Sequence, residues 1–357
     1  MINKICYFLI LLVVIVHFSS CQQKEKQDLS KKANFESLMG KDLPSWQFVQ
    51  TKEDWENLAF FRNIFEQNNH LFPPIKVENK IPKVLHFIWI GPRSFPRESI
   101  ENIKSWVAKH PEWEVKFWTD RDRPLPYPFM QKVLIQDFKF LKLRDCFEKS
   151  ENYAEKADLL RYEILYQEGG VYVDHDVKCF EPFDALNRSY DLFCGLELPS
   201  QSPLSSVHAT NNLIGARSGH FILKNCMDWV CEHWDEIEKQ YPGKDKDAVI
   251  QRVAHRTFAA FAISVRNFAG KQGNIDMVFP ALYFNAPKDR LAVMARHLYA
   301  GTWFENETPF EKKTRERLMI ITKKTNKILL FTSFVSAINL MGFVILFWIL
   351  RKKPTSN

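Results

Sequence analysis

Two acidic residues, Asp174 and Asp176, follow directly on the apolar run at 171–173. On an extended backbone, side chains two residues apart project to the same face, so the two carboxylates converge while His175 points the other way. A hard divalent cation prefers oxygen ligands, and phosphate oxygens would complete the coordination that two carboxylates begin. The pair alone is a weak signal, because Asp-x-Asp occurs by chance and solvated carboxylates at a strand end have the same sequence.

A second pair of polar residues lies in the helix-like stretch that precedes the carboxylates. Asp158 and Arg161 are three residues apart, which places them on one face of a helix at 154–167. Asp accepts hydrogen bonds from hydroxyl groups, and Arg binds phosphate or carboxylate. The alternative is an ordinary surface ion pair, which contributes little to stability. Because Gly169 and Gly170 end this helix just before the strand, both pairs can meet at the same edge of a sheet.

The segments around these residues alternate between strand and helix. The apolar run at 84–90 is typical of a strand that is buried on both faces. A helical stretch at 97–109, a second strand at 114–118, the helix described above and a third strand at 171–173 follow it. This alternation predicts an α/β fold with a mostly parallel sheet.

The positive charge of the chain is concentrated at one end. The 357 residues carry a formal net charge of +7. Residues 311–357 hold ten Lys and Arg and two Glu, a charge of +8, which leaves −1 for the rest of the chain (7 − 8). A nucleic-acid-binding protein spreads positive charge over its folded surface, so the composition argues against a nucleic-acid partner.

Hydrophobic segments stand near both ends of the chain. The uncharged segment at 328–350 is about 23 residues long, enough to cross a hydrocarbon core of roughly 30 Å as a helix, and predicts a C-terminal transmembrane helix and a membrane localisation. Residues 1–21 have a short charged start, an apolar middle and small residues before Cys21, so a cleaved signal peptide, lipidation and an uncleaved membrane segment remain open. Charge bias and a signal peptide predict opposite sides of the membrane, which leaves the side of the main domain unresolved.

Five cysteines lie in the main body of the chain at irregular spacings, without a Cys-x-x-Cys pair. This pattern favours small buried apolar residues over zinc ligands or a disulfide framework. The five are Cys146, Cys179, Cys194, Cys226 and Cys231.

Three ordered segments carry a resemblance to a known family. They are the run YAEKADLLRY at 153–162 with the glycines and carboxylates at 169–176, the run at 81–91, and the segment at 111–120. Together they closely resemble the signature of the Asp-x-Asp sugar-binding glycosyltransferases of family 32. That group includes yeast-type α-1,6-mannosyltransferases and mannosyl-inositol-phosphorylceramide synthases, and the donor site of the large clostridial glucosylating toxins is similar. The resemblance continues more weakly to about residue 305.

The resemblance implies a GT-A fold, which is a Rossmann-like, mostly parallel sheet with helices on both faces. By resemblance, Trp89 would stack on the nucleotide base of the donor, with a core aromatic as the alternative. Asp158 and Arg161 would bind the donor sugar and its phosphate. Asp174 would contact ribose and sugar and share the metal, and Asp176 would be the firmer metal ligand. The implied catalytic residues are therefore Arg161, Asp174 and Asp176.

Residues near the end of the implied domain supply the rest of the expected site. Family members close the site with a His and a Ser-Trp pair, and the matching residues here are His297, Thr302 and Trp303. His297 would be a third metal ligand, with a structural histidine as the alternative, because Leu298 stands where a second His is frequent. Trp303 would cover the donor phosphates. Asn212 would bind the donor, with loop capping as its alternative.

The resemblance and the predicted span together predict a membrane-anchored, retaining, metal-dependent hexosyltransferase. The expected donor is a nucleotide sugar, with GDP-mannose favoured over a UDP-sugar, and the expected acceptor is a lipid or a glycan. The expected cofactor is a divalent metal, Mn²⁺ or Mg²⁺. Two other classes remain as weaker alternatives, a haloacid-dehalogenase-like phosphatase and a non-catalytic sugar-binding membrane protein.

The predicted domain boundaries follow from these segments. A linker and helical preamble at 22–78 follows the hydrophobic segment at 1–21. The GT-A catalytic domain covers 79–305, and a basic juxtamembrane segment covers 306–327. The hydrophobic segment at 328–350 and a basic tail at 351–357 follow.

Overall fold

Short apolar strands build the central sheet. The computed structural model describes residues 34–69, 78–202 and 204–301. The strands in these ranges are β1 (Val84–Ile88), β2 (Glu114–Thr119), β3 (Gln131–Leu134), β4 (Gly170–Val173), β5 (Val177–Cys179), β6 (Leu192–Leu196), β7 (Ala209–Ala216), β8 (Asp276–Phe279) and β9 (Ala295–His297). Seven of them form one sheet in the order β3-β2-β1-β4-β7-β6-β8, and β5 pairs with β9 in a separate ribbon.

Most neighbouring strands of the main sheet run parallel. β1 is parallel to both β2 and β4, and the pairs β2–β3 and β6–β8 are parallel as well. Only β7 departs from this pattern within the described sheet, because it runs antiparallel to β4 and β6. The prediction of an α/β fold with a mostly parallel sheet is confirmed. One edge of the sheet therefore carries the ends of β1 and β4 together with the start of β7.

Helices occupy the connections between the strands. They are α1 (Phe35–Leu38), α2 (Lys52–Asn68), α3 (Arg97–Lys109), α4 (Arg144–Lys149), α5 (Tyr153–Glu168), α6 (Asp184–Ser189), α7 (Phe221–Gln240), α8 (Lys246–Val253) and α9 (Ala259–Phe268). A π-helical turn (Ala254–Phe258) joins α8 to α9, and short 3₁₀ turns lie at Pro44–Phe48, Ile135–Asp137, Ala281–Tyr283 and Asp289–Leu291. The helices predicted at 97–109 and 154–167 correspond to α3 and α5.

Helix α5, which carries the second polar pair, is buried on most of its surface. The side chain of Asn152 caps its start by accepting hydrogen bonds from the N–H groups of Ala154 at 2.8 Å and Glu155 at 3.1 Å. The spacing of apolar residues predicts one buried side, but the sheet and α7 both pack against α5 and cover more of it. Asp158 and Arg161 consequently lie in the interior, 2% and 5% exposed.

His86 is a buried histidine in the middle of β1, the strand that pairs with β4. Its Nε2 lies 2.8 Å from the carbonyl oxygen of Gly169, and its Nδ1 accepts a hydrogen bond from the indole N–H of Trp118 at 3.1 Å. Burial lowers the pKa of His86 to about 3, so the ring is neutral and Nε2 holds the proton that it donates to Gly169. This pairing explains a polar residue in the middle of an apolar strand.

Replacing Gly170 by alanine is expected to destabilise the fold by about 3 kcal/mol, from backbone strain and overpacking together. Gly170 has a φ of +102°, and a Cβ at this position would lie 2.7 Å from Nε2 of His86. Gly219→Ala is the matched control, because its φ is +68° and no atom lies within 4 Å of the added Cβ. The control retains only the backbone strain, about 1 kcal/mol. The free energy of unfolding of both variants is measured in urea. An equal loss of this free energy in the two variants would contradict the steric argument.

The structure corrects the predicted membrane localisation. In residues 34–69, 78–202 and 204–301, no helix is both long enough and apolar enough to cross a bilayer. This finding contradicts the prediction of a membrane protein with a single C-terminal span. The segments on which that prediction rested, 1–21 and 328–350, lie outside the described residues, and the domain boundaries stay predictions.

The cysteines of the body are free thiols. Cys146, Cys179, Cys194 and Cys226 are buried, as predicted for small apolar residues, and Cys231 is partly exposed.

Candidate functional site

The carboxylate pair lies in the tight turn between β4 and β5. The backbone N–H of Asp174 donates to the carbonyl oxygen of Asn212 on β7 at 2.9 Å, so the chain is still attached to the sheet at this point. The N–H of Val177 then donates to the carbonyl oxygen of Asp174 at 3.0 Å and closes the turn around Asp176. Both carboxylates therefore stand at the sheet edge that the sequence predicts for them.

The β5–β9 ribbon brings a distant histidine to this turn. Val177 pairs with His297 across the ribbon. The N–H of Leu298 donates to the carbonyl oxygen of Asp176 at 2.9 Å, which continues the pairing past the end of β9. As a result, Nε2 of His297 lies 3.3 Å from Oδ1 of Asp176.

Asp174, Asp176 and His297 form the group that we call the metal triad. Each contributes one possible ligand atom, and these three atoms lie within 4.8 Å of one another. Two carboxylates and an imidazole fit a divalent cation. Nδ1 of His297 is buried and has no hydrogen-bond partner within the described ranges, which leaves one imidazole nitrogen uncommitted. The residues thus suit the metal that the sequence resemblance implies.

Within the metal triad, Asp176 and His297 shift each other's pKa. Burial raises the pKa of the Asp176 carboxyl, but hydrogen bonds from His297 and from the N–H of Ala300, at 2.7 Å, hold this pKa well below its usual range. Burial lowers the pKa of His297, but the neighbouring Asp176 outweighs burial and the pKa is raised overall. Asp176 is therefore a carboxylate at neutral pH, the form in which it can bind a cation.

Behind Asp174 lies a closed, buried circuit of hydrogen bonds, which we call the Arg161 ring. Thr257 donates its hydroxyl to Asp158 at 2.5 Å, and Asp158 accepts from Arg161 at 2.6 Å. Arg161 also donates to the carbonyl oxygen of Asn211 at 2.5 Å. The side-chain amide of Asn211 donates to the hydroxyl of Tyr162 at 2.9 Å, and that hydroxyl donates to the carbonyl oxygen of Thr257 at 3.0 Å. Each member thus constrains the next.

The Arg161 ring is linked to the metal triad through Asp174. Nη2 of Arg161 lies 3.2 Å from Oδ1 of Asp174, and the hydroxyl of Tyr172 donates to the same oxygen at 2.5 Å. The guanidinium group of Arg161 also lies over the ring of Tyr172, 4.1 Å from its centroid. Sequence analysis missed Tyr172 because alternation along β4 only marked it as a strand residue. Its place two residues before Asp174, on the same face, is the signal that could have identified it.

Burial changes the pKa of Asp158, the carboxylic acid of the Arg161 ring. Burial raises the pKa of Asp158 to about 6, against the lowering by Arg161 and Thr257. Asp158 and Arg161 meet on one face of α5 as predicted, but they form a buried pair and not the surface pair of the alternative interpretation. Their expected contacts with the donor sugar and phosphate stay predictions.

Thr257 reaches Asp158 from the π-helical turn between α8 and α9. A π-helical turn places one extra residue in a helix, and such turns are frequent at functional sites. No pattern in the sequence marks Thr257, because its partner Asp158 is remote in sequence and the contact depends on packing of this turn against α5.

Replacing Thr257 by valine is expected to lower turnover about tenfold and stability by about 1–3 kcal/mol, because a buried carboxylate oxygen loses its donor. Thr257→Ser keeps the hydroxyl and is expected to retain most of the activity. Initial rates of donor hydrolysis and urea unfolding would measure both effects. If the valine variant turned over donor as fast as the serine variant, the hydroxyl would have no positioning role.

The structure places the rings of Trp89 and His175 together. Trp89 is 9% exposed and donates its indole N–H to the carbonyl oxygen of Arg93 at 2.9 Å. The rings of Trp89 and His175 meet edge to face at 5.0 Å, and Nδ1 of His175 lies 2.7 Å from the hydroxyl of Ser99. The ring of His175 is thus held by Ser99 and Trp89, and its predicted direction away from the carboxylates stays a prediction. Stacking of Trp89 on a nucleotide base stays a prediction.

Asn212 lies on β7, and its side chain makes hydrogen bonds within the fold. Its side-chain amide donates to Asn285 at 2.7 Å and accepts from the hydroxyl of Thr210 at 2.9 Å. The alternative interpretation as a loop cap does not apply, because Asn212 is a buried strand residue. Its predicted contact with the donor is untested, and Thr302 and Trp303 lie outside the described residues.

The fold and this site define an α/β protein with a candidate divalent-cation site at the carboxyl end of strand β4. Residues 96–193 match a family model described as the glycosyltransferase sugar-binding region containing a DXD motif. The predicted resemblance to the Asp-x-Asp glycosyltransferases is confirmed, and the prediction of a glycosyltransferase enzyme is supported.

Several known proteins are similar in sequence to part of this chain. Inositol phosphoceramide mannosyltransferase 3 of Schizosaccharomyces pombe is 32% identical over 146 residues, which is 40% of this chain and 36% of the relative. Subversion of eukaryotic traffic protein A of Legionella pneumophila is 28% identical over 187 residues, which is 48% of this chain and 27% of the relative. The chain thus spans only about a third of these relatives. The UDP-bound glycosyltransferase domain of the YGT toxin overlaps 57% of this chain and 80% of its own, with a TM-score of 0.42 and 11% identity.

Proposed function

We propose that this protein is a metal-dependent hexosyltransferase of GT-A fold, with its catalytic domain at 79–305, that uses a nucleotide-sugar donor. The observation that carries the proposal is the metal triad of Asp174, Asp176 and His297, whose ligand atoms lie within 4.8 Å of one another. The Arg161 ring contacts the triad at Asp174 and gives it a fixed position. The matched sugar-binding region at 96–193 contains the carboxylates of the triad.

The residues of the chain take distinct roles in this proposal. The triad would hold Mn²⁺ or Mg²⁺, which when bound neutralises negative charge on the donor diphosphate. Arg161 would hold Asp174 in place and add positive charge at the back of the site, and Tyr172 would fix the same carboxylate oxygen by its hydrogen bond. Trp89, Asn212 and Trp303 would complete the donor site. These assignments rest on the resemblance and on the positions described above.

Mannose is the favoured sugar, with GDP-mannose as donor and a UDP-sugar as the other candidate. Support comes from the mannosyltransferase of Schizosaccharomyces pombe, which is 32% identical to this chain over 146 residues. A glycan or a lipid is the proposed acceptor. The proposed stereochemistry is retention, by a front-side displacement in which the departing phosphate takes the proton of the acceptor hydroxyl. An inverted product, detected by NMR of its anomeric proton, would exclude this mechanism.

A donor panel tests the proposed function directly. The full-length protein is incubated with GDP-mannose, UDP-glucose, UDP-galactose and UDP-N-acetylglucosamine, each with Mn²⁺, Mg²⁺ or chelator, and released nucleotide is measured. We expect metal-dependent release from one donor, strongest with GDP-mannose. Absence of metal-dependent release from every donor would exclude a nucleotide-sugar transferase.

A further inference from the structure

A large hollow lies beside the candidate active site. Its volume is about 850 Å³, and its walls come from the start of α2, the segment at 200–208 and the last turns of α9. Sites that bind small molecules commonly have volumes of roughly 300–1,000 Å³, so the hollow has room for a sugar of one to three rings. None of its residues is used by the metal triad or by the Arg161 ring.

The topology of the sheet places the hollow at the edge that carries the metal triad. The segment at 200–208 leads directly into β7, and β7 runs antiparallel to β4, so its start lies where β4 ends. A second connection passes through Glu197, whose N–H donates to the carbonyl oxygen of His208 at 2.9 Å. The carboxylate of Glu197 accepts a hydrogen bond from Tyr299, whose ring lies 4.1 Å from that of His297. The hollow and the triad are therefore neighbours.

A buried aspartate, Asp54, gives the hollow a fixed wall. One of its oxygens accepts from the N–H groups of Gln50 at 3.0 Å and Thr51 at 2.8 Å. The other accepts from the hydroxyl of Ser205 at 2.8 Å and the N–H of Ser206 at 2.7 Å. Burial raises the pKa of Asp54, but these hydrogen bonds hold it well below its usual range. Asp54 thus joins α2 to the loop before β7 and orders both.

The lining of the hollow combines polar and apolar side chains. Most of its residues carry hydroxyl, amide or charged groups, among them Glu53, Gln201 and Arg266. The hydroxyl oxygen of Ser206 is buried and has no hydrogen-bond partner in the described part of the chain, although Ser206 lines the hollow. A buried hydroxyl without a partner is costly unless a ligand or water satisfies it. The partly exposed ring of Phe48 adds an apolar surface on which the face of a sugar ring could pack.

We propose that this hollow is the acceptor site and that it binds a hydroxyl-rich group, a glycan or polyol. The inference rests on the proposed function. Polar side chains beside the ring of Phe48 match the hydroxyl edges and apolar faces of a sugar, whereas an acyl chain would lie against polar residues such as Glu53 and Gln201. In the transfer, the acceptor hydroxyl oxygen bonds to the anomeric carbon as the bond from that carbon to the diphosphate oxygen breaks. The hydroxyl proton passes to the departing diphosphate.

Two glutamates on α2 provide a matched test. Glu53 lines the hollow, whereas Glu56, three residues later on the same helix and also exposed, does not. Glu53→Trp fills the hollow with an indole, and Glu56→Trp places the same side chain outside it. The probes are p-nitrophenyl α- and β-hexosides and mannose oligosaccharides, applied to the full-length protein. We expect Glu53→Trp to raise the apparent KM for the best glycoside at least tenfold, and Glu56→Trp to change it less than twofold.

Binding without donor separates this inference from the proposed function. Saturation-transfer NMR would show contact between the glycoside and the wild-type protein, reduced at least tenfold in Glu53→Trp and retained in Glu56→Trp. This result would support the hollow as a sugar site even if no nucleotide sugar were turned over. Metal-dependent donor release with glycoside KM and binding equal in all three proteins would overturn the acceptor site alone. Thermal melting of both variants identifies any loss of folding.

Discussion

The Asp176→Asn variant is expected to lose metal-dependent turnover of the donor by about a thousandfold, equivalent to about 4 kcal/mol of transition-state stabilisation. Asp176 is 6% exposed, and its pKa is held well below the usual range by His297 and Ala300. Asparagine keeps the shape and an oxygen that can accept from the N–H of Ala300, but it removes the negative charge that attracts a cation. Folding should therefore survive while metal affinity falls.

The matched control is Asp289→Asn in the 3₁₀ turn before β9. Asp289 accepts from Lys178 at 3.1 Å, so it also carries an ion pair, but it is not a member of the metal triad. Mn²⁺ binding is measured by electron paramagnetic resonance alongside donor hydrolysis. We expect Mn²⁺ affinity to fall at least about a hundredfold in Asp176→Asn and to change little in Asp289→Asn. Unchanged Mn²⁺ affinity in Asp176→Asn would remove this residue from the metal site.

The local parts of the site could be predicted from the sequence because short-range rules determine them. The spacing of two residues predicted that Asp174 and Asp176 converge, although they lie in the turn after β4 and not on a strand. Asp158 and Arg161 share a face by helix geometry. Alternating strands and helices then predicted the mostly parallel sheet, since β1 is an apolar run followed by Gly91 and β4 is an apolar run preceded by Gly169. Each of these predictions needs fewer than about twenty residues of context, which is the range in which periodicity is informative.

The long-range parts of the site could not be predicted from periodicity. Thr257 meets Asp158 only because a π-helical turn packs against α5, and no residue pattern records such packing. His297 was found by resemblance alone, since its position depends on the pairing of β9 with β5. The burial of a polar pair is likewise not determined by its spacing in the sequence. Asp158 and Arg161 have the spacing of a surface ion pair, but α7 and the sheet enclose them.

Replacing Arg161 by lysine is expected to lower turnover about a hundredfold and stability by about 2 kcal/mol. Nη2 of the guanidinium group meets Asp158 at 2.6 Å and Asp174 at 3.2 Å, while Nη1 meets the carbonyl oxygen of Asn211 at 2.5 Å. The single nitrogen of a lysine cannot occupy both positions. Lysine preserves the charge, so the variant separates geometry from electrostatics. Arg161→Ala should cost more stability, about 3–5 kcal/mol, because it leaves the buried Asp158 without a positively charged partner.

Arg256→Lys controls for the general effect of changing a buried arginine. Arg256 is 3% exposed and donates to the carbonyl oxygen of Trp234 at 2.9 Å, but it does not contact the metal triad. We expect it to lose similar stability and to keep turnover within about threefold below its melting temperature. The double variant Asp158→Leu/Arg161→Met supplies the second test. Removing both charges should recover unfolding free energy relative to Arg161→Ala, since no buried carboxylate is left unpaired, while turnover stays low because Asp174 has lost its support. If the double variant regained turnover together with stability, the Arg161 ring would serve folding alone and the positioning of Asp174 would need another source.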